Sequence, residues 1–337
     1  MINEIKVKKT ILHILDPSIG MPVLSEEEHP HDGEIIEFIS LHIENIFNDI
    51  NIKNSNFIGE NNQVKMICMD IADNADHFVE KTKDFANTMY NLIEQNITIP
   101  PCDLVCSLFE GDGKSYLGFF IFNYKTSYIH YVEEMESGRL NTVVKQGTTL
   151  PNTNQKIDQF FIVDLEDFSI LLKEKKYEIN EGKDFYLSKY LLKSEDILSD
   201  KAKMDIVNKV SKKIIKDYYE DDVTKLAEVK SAMAESVEET ESINVDEVKT
   251  KVFKDNIDIQ KIYDEEVARK GLVDKTIAVN ENLSKKIAKT QKLVMDNGIE
   301  IKIPIEYLRG DDKVEFLNNP DGSISILLKD IRDIKGK

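Results

Sequence analysis

The sequence predicts an α+β protein: an antiparallel meander sheet with helices in the first half, a helical middle region and a small C-terminal β unit. Three observations carry this. Apolar residues recur at spacings of three and four in some stretches and of two in others, so helix and strand periods are both present. Three short apolar runs, Leu104 to Phe109, Tyr116 to Phe122 and Tyr128 to Val132, are separated by turn residues, the pattern of consecutive hairpins. From Ile299 onward the period is two again. The 337 residues exceed a single ordinary domain, and they divide into an α+β domain at 1–178, a helical region at 179–275 and a small β unit at 276–337.

Lys6 to Leu15 reads as a strand, with Ile5, Val7, Ile11 and Ile14 as its β-branched residues, and it ends at Asp16 and Pro17. A loop through Gly20 and Pro22 leads to Glu26, Glu27 and Glu28. A helix follows on Ile36, Ile39, Ile43, Ile46, Phe47 and Ile50, with Asp32 as its expected N-cap. A second helix is expected from about Asn74 to Gln95, closed by Pro100 and Pro101. The meander comes next, then a polar loop at Gly147 to Asn154 and a strand at Gln159 to Leu165. Helices packed on one face of that sheet would complete the first domain.

In the second half, Ser194 or Ser199 can start a helix that runs to Tyr219. Val207, Val210, Ile214 and Tyr218 share one of its faces, expected to be buried between the two halves or across a dimer. Further helices are read at Asp221 to Glu241, Ile243 to Lys254 with Asn244 as cap, and Ile257 to Lys270, stopped by Gly271. Ile299, Ile301 and Ile303 then alternate with polar residues, and Lys313 to Leu317 and Ile324 to Leu328 flank the turn Asn318 to Ser323 as a hairpin.

Composition narrows the function classes. Hydrophobic residues make up 41% and charged residues 31%, an ordinary globular balance. No apolar run approaches the roughly 18 to 20 residues that span a bilayer, and Met1 to Thr10 lacks a signal-peptide core, so a cytoplasmic protein without membrane contact is expected. Three cysteines, Cys68, Cys102 and Cys106, argue against a disulfide framework and read as buried thiols. His29 and His31 with Asp32 and Glu34 form the most metal-like cluster, and Asp70, Asp73 and Asp76 the next. The first reads as a solvated loop, the second as capping and solvated carboxylates, with Asp73 near a helix start. No phosphate-binding loop, dinucleotide glycine pattern, nucleophile elbow or zinc-protease helix occurs, so neither an enzyme nor a cofactor is expected.

The net charge of -18 is unevenly placed. Residues 1–170 hold 12 basic and 27 acidic side chains, a net of -15. Residues 171–217 stand at +3, 218–282 at -8 and 283–337 at +2. The two positive segments gather Lys201, Lys203, Lys209, Lys212, Lys213 and Lys216 on the expected helix from Ser199, and Lys285, Lys286, Lys289 and Lys292 ahead of the C-terminal strands. Lysines repeating with the helical period can neutralise successive phosphates, which gives affinity for double- or single-stranded DNA without sequence information. The same spacing also describes a solvated face. Aromatic residues of the meander, among them Phe109, Phe119, Tyr128 and Tyr131, have only Lys114 and Lys125 as basic neighbours, too few for a base-stacking platform, and read as sheet packing.

Ile11 to Asp16 followed by Pro22, Val23, Leu24 and Ser25, then Phe38 with His42 and Ile43, resembles the N-terminal pattern of the bacterial 37-kilodalton nucleoid-associated protein family. The run Ile301 to Ile326, with its Leu-x-Gly-Asp turn and last hairpin, is similar to that family's C-terminal pattern. The resemblance spans nearly the whole chain. It implies association with the nucleoid, DNA binding without catalysis, and contact with proteins that act on DNA topology. Where relatives tend to carry a Lys- and Gly-bearing turn, Lys189 to Leu198 has no glycine. A homodimer is expected because pairing would double a modest lysine patch. The alternative is an acidic protein-interaction hub, of a mobile element or a defence system, that never touches DNA.

Overall fold

A computed structural model describes residues 4–30, 33–136, 138–180, 182–220, 222–254, 256–284, 287, 290–308 and 313–333. It is α+β, and the chain forms two compact units, Met1–Ile197 and Leu198–Lys337. No helix among the described residues is long and apolar enough to cross a membrane.

The first unit contains β1 (Lys6–Leu15), α1 (Gly33–Phe47), β2 (Lys53–Ser55), α2 (Gln63–Asp73), α3 (Phe78–Gln95), β3 (Cys102–Gly111), β4 (Lys114–Asn123), β5 (Lys125–Met135), β6 (Gly138–Thr149), β7 (Gln159–Asp164), β8 (Ile170–Lys173), β9 (Lys176–Ile179) and β10 (Gly182–Phe185). β1 stops where expected: the Asp16 carboxylate accepts from the Ser18 amide and Pro17 opens a short 3-10 turn. The second helix differs from its expected extent. A 3-10 turn capped by Asn74 covers Ala75–His77, α3 starts at Phe78, and α2 precedes both. α2 is nucleated by Asn62, whose side-chain oxygen accepts from the Val64 and Lys65 amides while its Nδ2 donates to the Leu192 carbonyl. Asp73 therefore ends a helix and does not begin one. The expected cap Asp32 lies outside the described residues.

Six strands form one antiparallel sheet in the order β1-β3-β4-β7-β8-β2. Helices cover both of its faces, not the single face expected from the sequence. Leu104, Leu117, Phe119, Phe161 and Val163 pack on the side of α2 and α3. Their alternate neighbours Val105, Phe120, Phe160 and Ile162 pack against Ile39, Ile43 and Ile46 of α1. Strands covered twice must be apolar at every position, which is why the central runs are continuous and do not alternate. The meander is also revised. β7, not β5, is the neighbour of β4, and β5 pairs only with β6 in a two-stranded ribbon inserted between them. β6 falls partly on the stretch read as a polar loop.

The motif behind the N-terminal resemblance is a clasp. Ile14 and Val23 pair through both backbone hydrogen bonds, the Ser25 hydroxyl donates to the Leu12 carbonyl, and the Ser25 amide donates to His13 Nδ1. With Nδ1 accepting, the proton of the neutral ring lies on Nε2, 3.3 Å from Thr82 Oγ1, which in turn donates to the Val79 carbonyl. Strand, loop and α3 are thereby tied at a buried imidazole. Phe38 and His42 stack edge to face at 4.6 Å over Phe122, fixing α1 to the sheet. At the other end of the unit, Lys193 adopts φ 45° after a turn of π-helix at Leu187–Leu192. This stretch, which has no glycine, therefore turns on a lysine in the left-handed region.

The second unit contains α4 (Asp200–Tyr218), α5 (Val223–Thr240), β11 (Ser242–Asn244), α6 (Val245–Phe253), α7 (Ile257–Arg269), β12 (Thr276–Ala278), α8 (Glu281–Ser284), β13 (Thr290–Val294), β14 (Glu300–Pro304), β15 (Val314–Asn318) and β16 (Ile324–Leu328). Ser199 caps α4 through the Ala202 amide, while Ser194 instead bridges to Phe57. Asn244 caps α6, and Gly271 follows α7 at φ 82°. β13 pairs with β14 and β15 with β16. Leu293, Ile303, Leu308 and Val314 of this β part share a small core with Ala227 of α5. Arg309, Gly310 and Asp311 of the Leu-x-Gly-Asp turn lie outside the described residues.

Candidate nucleic-acid interface

α4 is amphipathic by the placement of its residues. Val207, Val210, Ile214 and Ile215 are fully buried and the helix packs on α5, α7 and β12. Its apolar face is therefore consumed inside the second unit, which corrects the expectation of burial between the halves or across a dimer. Tyr218, expected on that face, is 53% exposed.

The six lysines of the sequence reading divide into two groups. Lys203 is 8% exposed and points inward, donating to the Asp274 carboxylate at 2.5 Å and to the Thr276 carbonyl at 3.2 Å. The Lys203 bond, with a second from the Thr276 amide, holds the Asp274 carboxyl below its usual range, and burial raises that of the adjacent Asp200. Lys203 is a structural tether of α4 to β12 and cannot reach a phosphate. Lys201 is half-buried and paired with Asp205 one turn on at 2.5 Å.

Lys209, Lys212, Lys213 and Lys216 are all exposed. At about 100° per residue they fall within roughly a third of the helix circumference, opposite Val207, Val210 and Ile214. Lys213 bonds Glu266 of α7 at 3.0 Å, and Glu266 is also gripped by Arg269 at 2.6 Å. Both bonds, that from Lys213 foremost, hold the Glu266 carboxyl below its ordinary value. The shared carboxylate brings the exposed Arg269 beside the lysine face. The sequence reading missed this arginine, because nothing local to α7 says that it packs on α4. Lys209, Lys212 and Lys216 have no ion pair among the described residues. Positions 209 to 216 span about 10 Å at the α-helical rise, close to three steps of roughly 3.4 Å along a nucleic-acid strand. Their charge also favours the helix itself, since Lys216 lies in the last turn where the helix dipole is negative.

Lys285, Lys286 and Lys289 lie outside the described residues. Lys292 is on β13, bonded to Glu300 across the hairpin at 2.7 Å.

The remaining chemistry-bearing groups form no site among the described residues. Cys68, Cys102 and Cys106 are buried free thiols whose ionisation is pushed well up by burial. His29 bonds the Pro30 carbonyl, and its neighbours His31 and Asp32 lie outside the described residues. Asp70 pairs with Lys81 at 3.2 Å. Among the described residues no group of three His, Cys, Asp or Glu side chains could hold a metal ion.

The sequence model of the family described as nucleoid-associated protein YejK matches residues 11–335. No curated protein matches the chain.

Proposed function

The chain belongs to the nucleoid-associated protein YejK family, and from that premise we propose that it binds DNA directly and without catalysis through the outward face of α4. The observation that carries this reading is the opposition on one helix of a fully buried apolar face and the exposed Lys209, Lys212, Lys213 and Lys216, with Arg269 beside them. Such a face contacts phosphates and reads no base edges, so affinity is weak and tolerant of sequence. With three to four charges neutralised, the binding constant falls roughly 100-fold between 50 and 200 mM salt. Two copies in one assembly would present two such faces and gain by avidity.

Fluorescence anisotropy on a short duplex tests this directly. Replacing the four lysines together by Gln removes their charge without reversing it, so α4 keeps its cap and its buried face. The expected result is loss of binding at low salt and a flattened salt dependence, with unchanged helical circular dichroism. Retained binding with the original salt slope removes α4 from the interface.

A second reading has its own support. The net charge of -18 and the engagement of Lys201, Lys203 and Lys213 by carboxylates suit an acidic surface that meets a basic protein, including proteins that act on DNA topology. It predicts no anisotropy change on plain duplex at any salt, with binding restored only when the protein partner is added.

A further inference from the structure

We propose that the β5–β6 ribbon is a dimerisation arm whose partner is the same ribbon of a second copy of this chain. The two strands hold 11 and 12 residues, and all of them except Ser127, Thr142 and Thr149 are exposed. A lone two-stranded hairpin is marginally stable in water, so one this long calls for cover. The register sets its faces: Ile129 stands opposite Val144, and His130 opposite Val143. Ile129, Tyr131 and Val144 therefore share one face, and Tyr128, Val132 and Val143 the other, with Tyr128 69% and Val143 68% exposed. An apolar centre on both faces, with one unpaired edge on each strand, is unlike a surface strand that packs on its own core and keeps its other side polar.

Charge identifies the occupant. The ribbon carries Lys125, Arg139 and Lys145 against Glu133, Glu134 and Glu136, so it is neutral within a half of the chain at -15. Two copies can meet there without net repulsion. Its acidic residues crowd the tip, where Arg139 pairs with Glu134, while Lys125 and Lys145 lie toward the base. Antiparallel pairing across a two-fold axis lays each tip beside the other copy's base, so that Glu133 and Glu136 meet Lys125 and Lys145. DNA finds no such match, because the tip would face phosphates with carboxylates. Eight large apolar side chains are exposed on the ribbon, and five of them, Ile129, Tyr131, Met135, Leu140 and Val144, share the face that a second ribbon can cover.

The inference supplies the surface for the two-copy assembly of the DNA-binding reading and rests on that reading only for its purpose. Light scattering on the full chain reads self-association, and the short duplex reads phosphate contact, so either can fail alone. Wild type is expected at twice the mass of one chain. Ile129→Glu with Val144→Lys, a cross-strand pair that preserves the ribbon's own register, is expected at the mass of one chain. Glu133→Lys with Glu136→Lys is expected to weaken association at least about tenfold, and adding Lys125→Glu and Lys145→Glu to restore it. This second set decides the matter if the first variant loses its sheet signal. A monomeric wild type at about 100 µM, or variants that dimerise as wild type does, would overturn the proposal.

Discussion

β4 and β5 are consecutive strands separated by Tyr124 alone, and both are built from aromatic and β-branched residues, yet they end in opposite environments. Every residue of β4 from Leu117 to Phe122 is buried, between β3 and β7 in the sheet and between α1 and α3 across it. β5 pairs with β6 and is exposed along almost its whole length. Strand propensity is the same in both, because it reflects side chains that suit a pleated surface. What differs is the long-range partner. β7 returns to pair with β4 directly, closing the sheet behind the ribbon. One strand is therefore a stability element, the other a surface held out from a completed core, and substitutions should separate the two sharply.

The largest contrast is expected from truncating one aromatic residue in each. Phe119 is fully buried, 4.4 Å centroid to centroid from both Phe85 and Phe161. Phe119→Ala should destabilise the first unit by about 3–5 kcal/mol in urea unfolding, through lost burial and the cavity left behind. Tyr131→Ala on the ribbon should cost a dilute, monomeric sample less than about 0.5 kcal/mol. Comparable losses at the two sites would mean that the ribbon is covered within its own chain.

Glycines give the next contrast. A Cβ built on Gly118 of β4 would lie 2.5 Å from the Phe120 ring and 3.3 Å from Phe109, both fully buried. Gly118→Ala should cost about 1–3 kcal/mol by overpacking. Gly147 of β6 has nothing within 4 Å, so Gly147→Ala should leave stability within about 0.5 kcal/mol of wild type. Differential scanning calorimetry of the pair reads both.

The same contrast explains what could be read before the structure. β1, β3, β4 and β7 announce themselves by their apolar runs, and α1, α4, α6 and α7 by spacing and caps, because those signals are local. α2 hides because Met66, Met69 and Asp70 interrupt its apolar spacing and its cap Asn62 is anchored by distant Leu192. Whether helices cover one sheet face or two, and whether β5 stays in the sheet, depend on pairings that no window of sequence contains. The candidate site divides along the same line. The lysine period on α4 was legible, whereas the withdrawal of Lys203 by Asp274 and the arrival of Arg269 beside Lys213 are tertiary events.

The smallest expected effect is electrostatic and concerns ionisable groups that the sheet encloses and the ribbon leaves in water. Burial, with the Asp16 charge adding to it, raises the Asp103 carboxyl of β3 to about 6. Burial, with Lys83 adding to it, lowers the His13 imidazole of β1 to about 4. A carboxyl raised from 3.8 contributes stability that is present below 3.8 and lost as pH climbs through 6. An imidazole lowered from 6.5 contributes stability that is present above 6.5 and lost as pH falls through 4. Between pH 4 and 6.5 the two slopes oppose each other and the sheet's stability is nearly flat. Asp103→Asn removes one of them. The variant should be more stable than wild type at pH 8 by about 1–2 kcal/mol, because an ionised carboxylate no longer has to be held in a half-buried site. It should lose that advantage by pH 4, leaving the His13 slope exposed as a steady fall in melting temperature through the window. Parallel pH profiles for variant and wild type would place the Asp103 carboxyl in water, as the ribbon's carboxylates are.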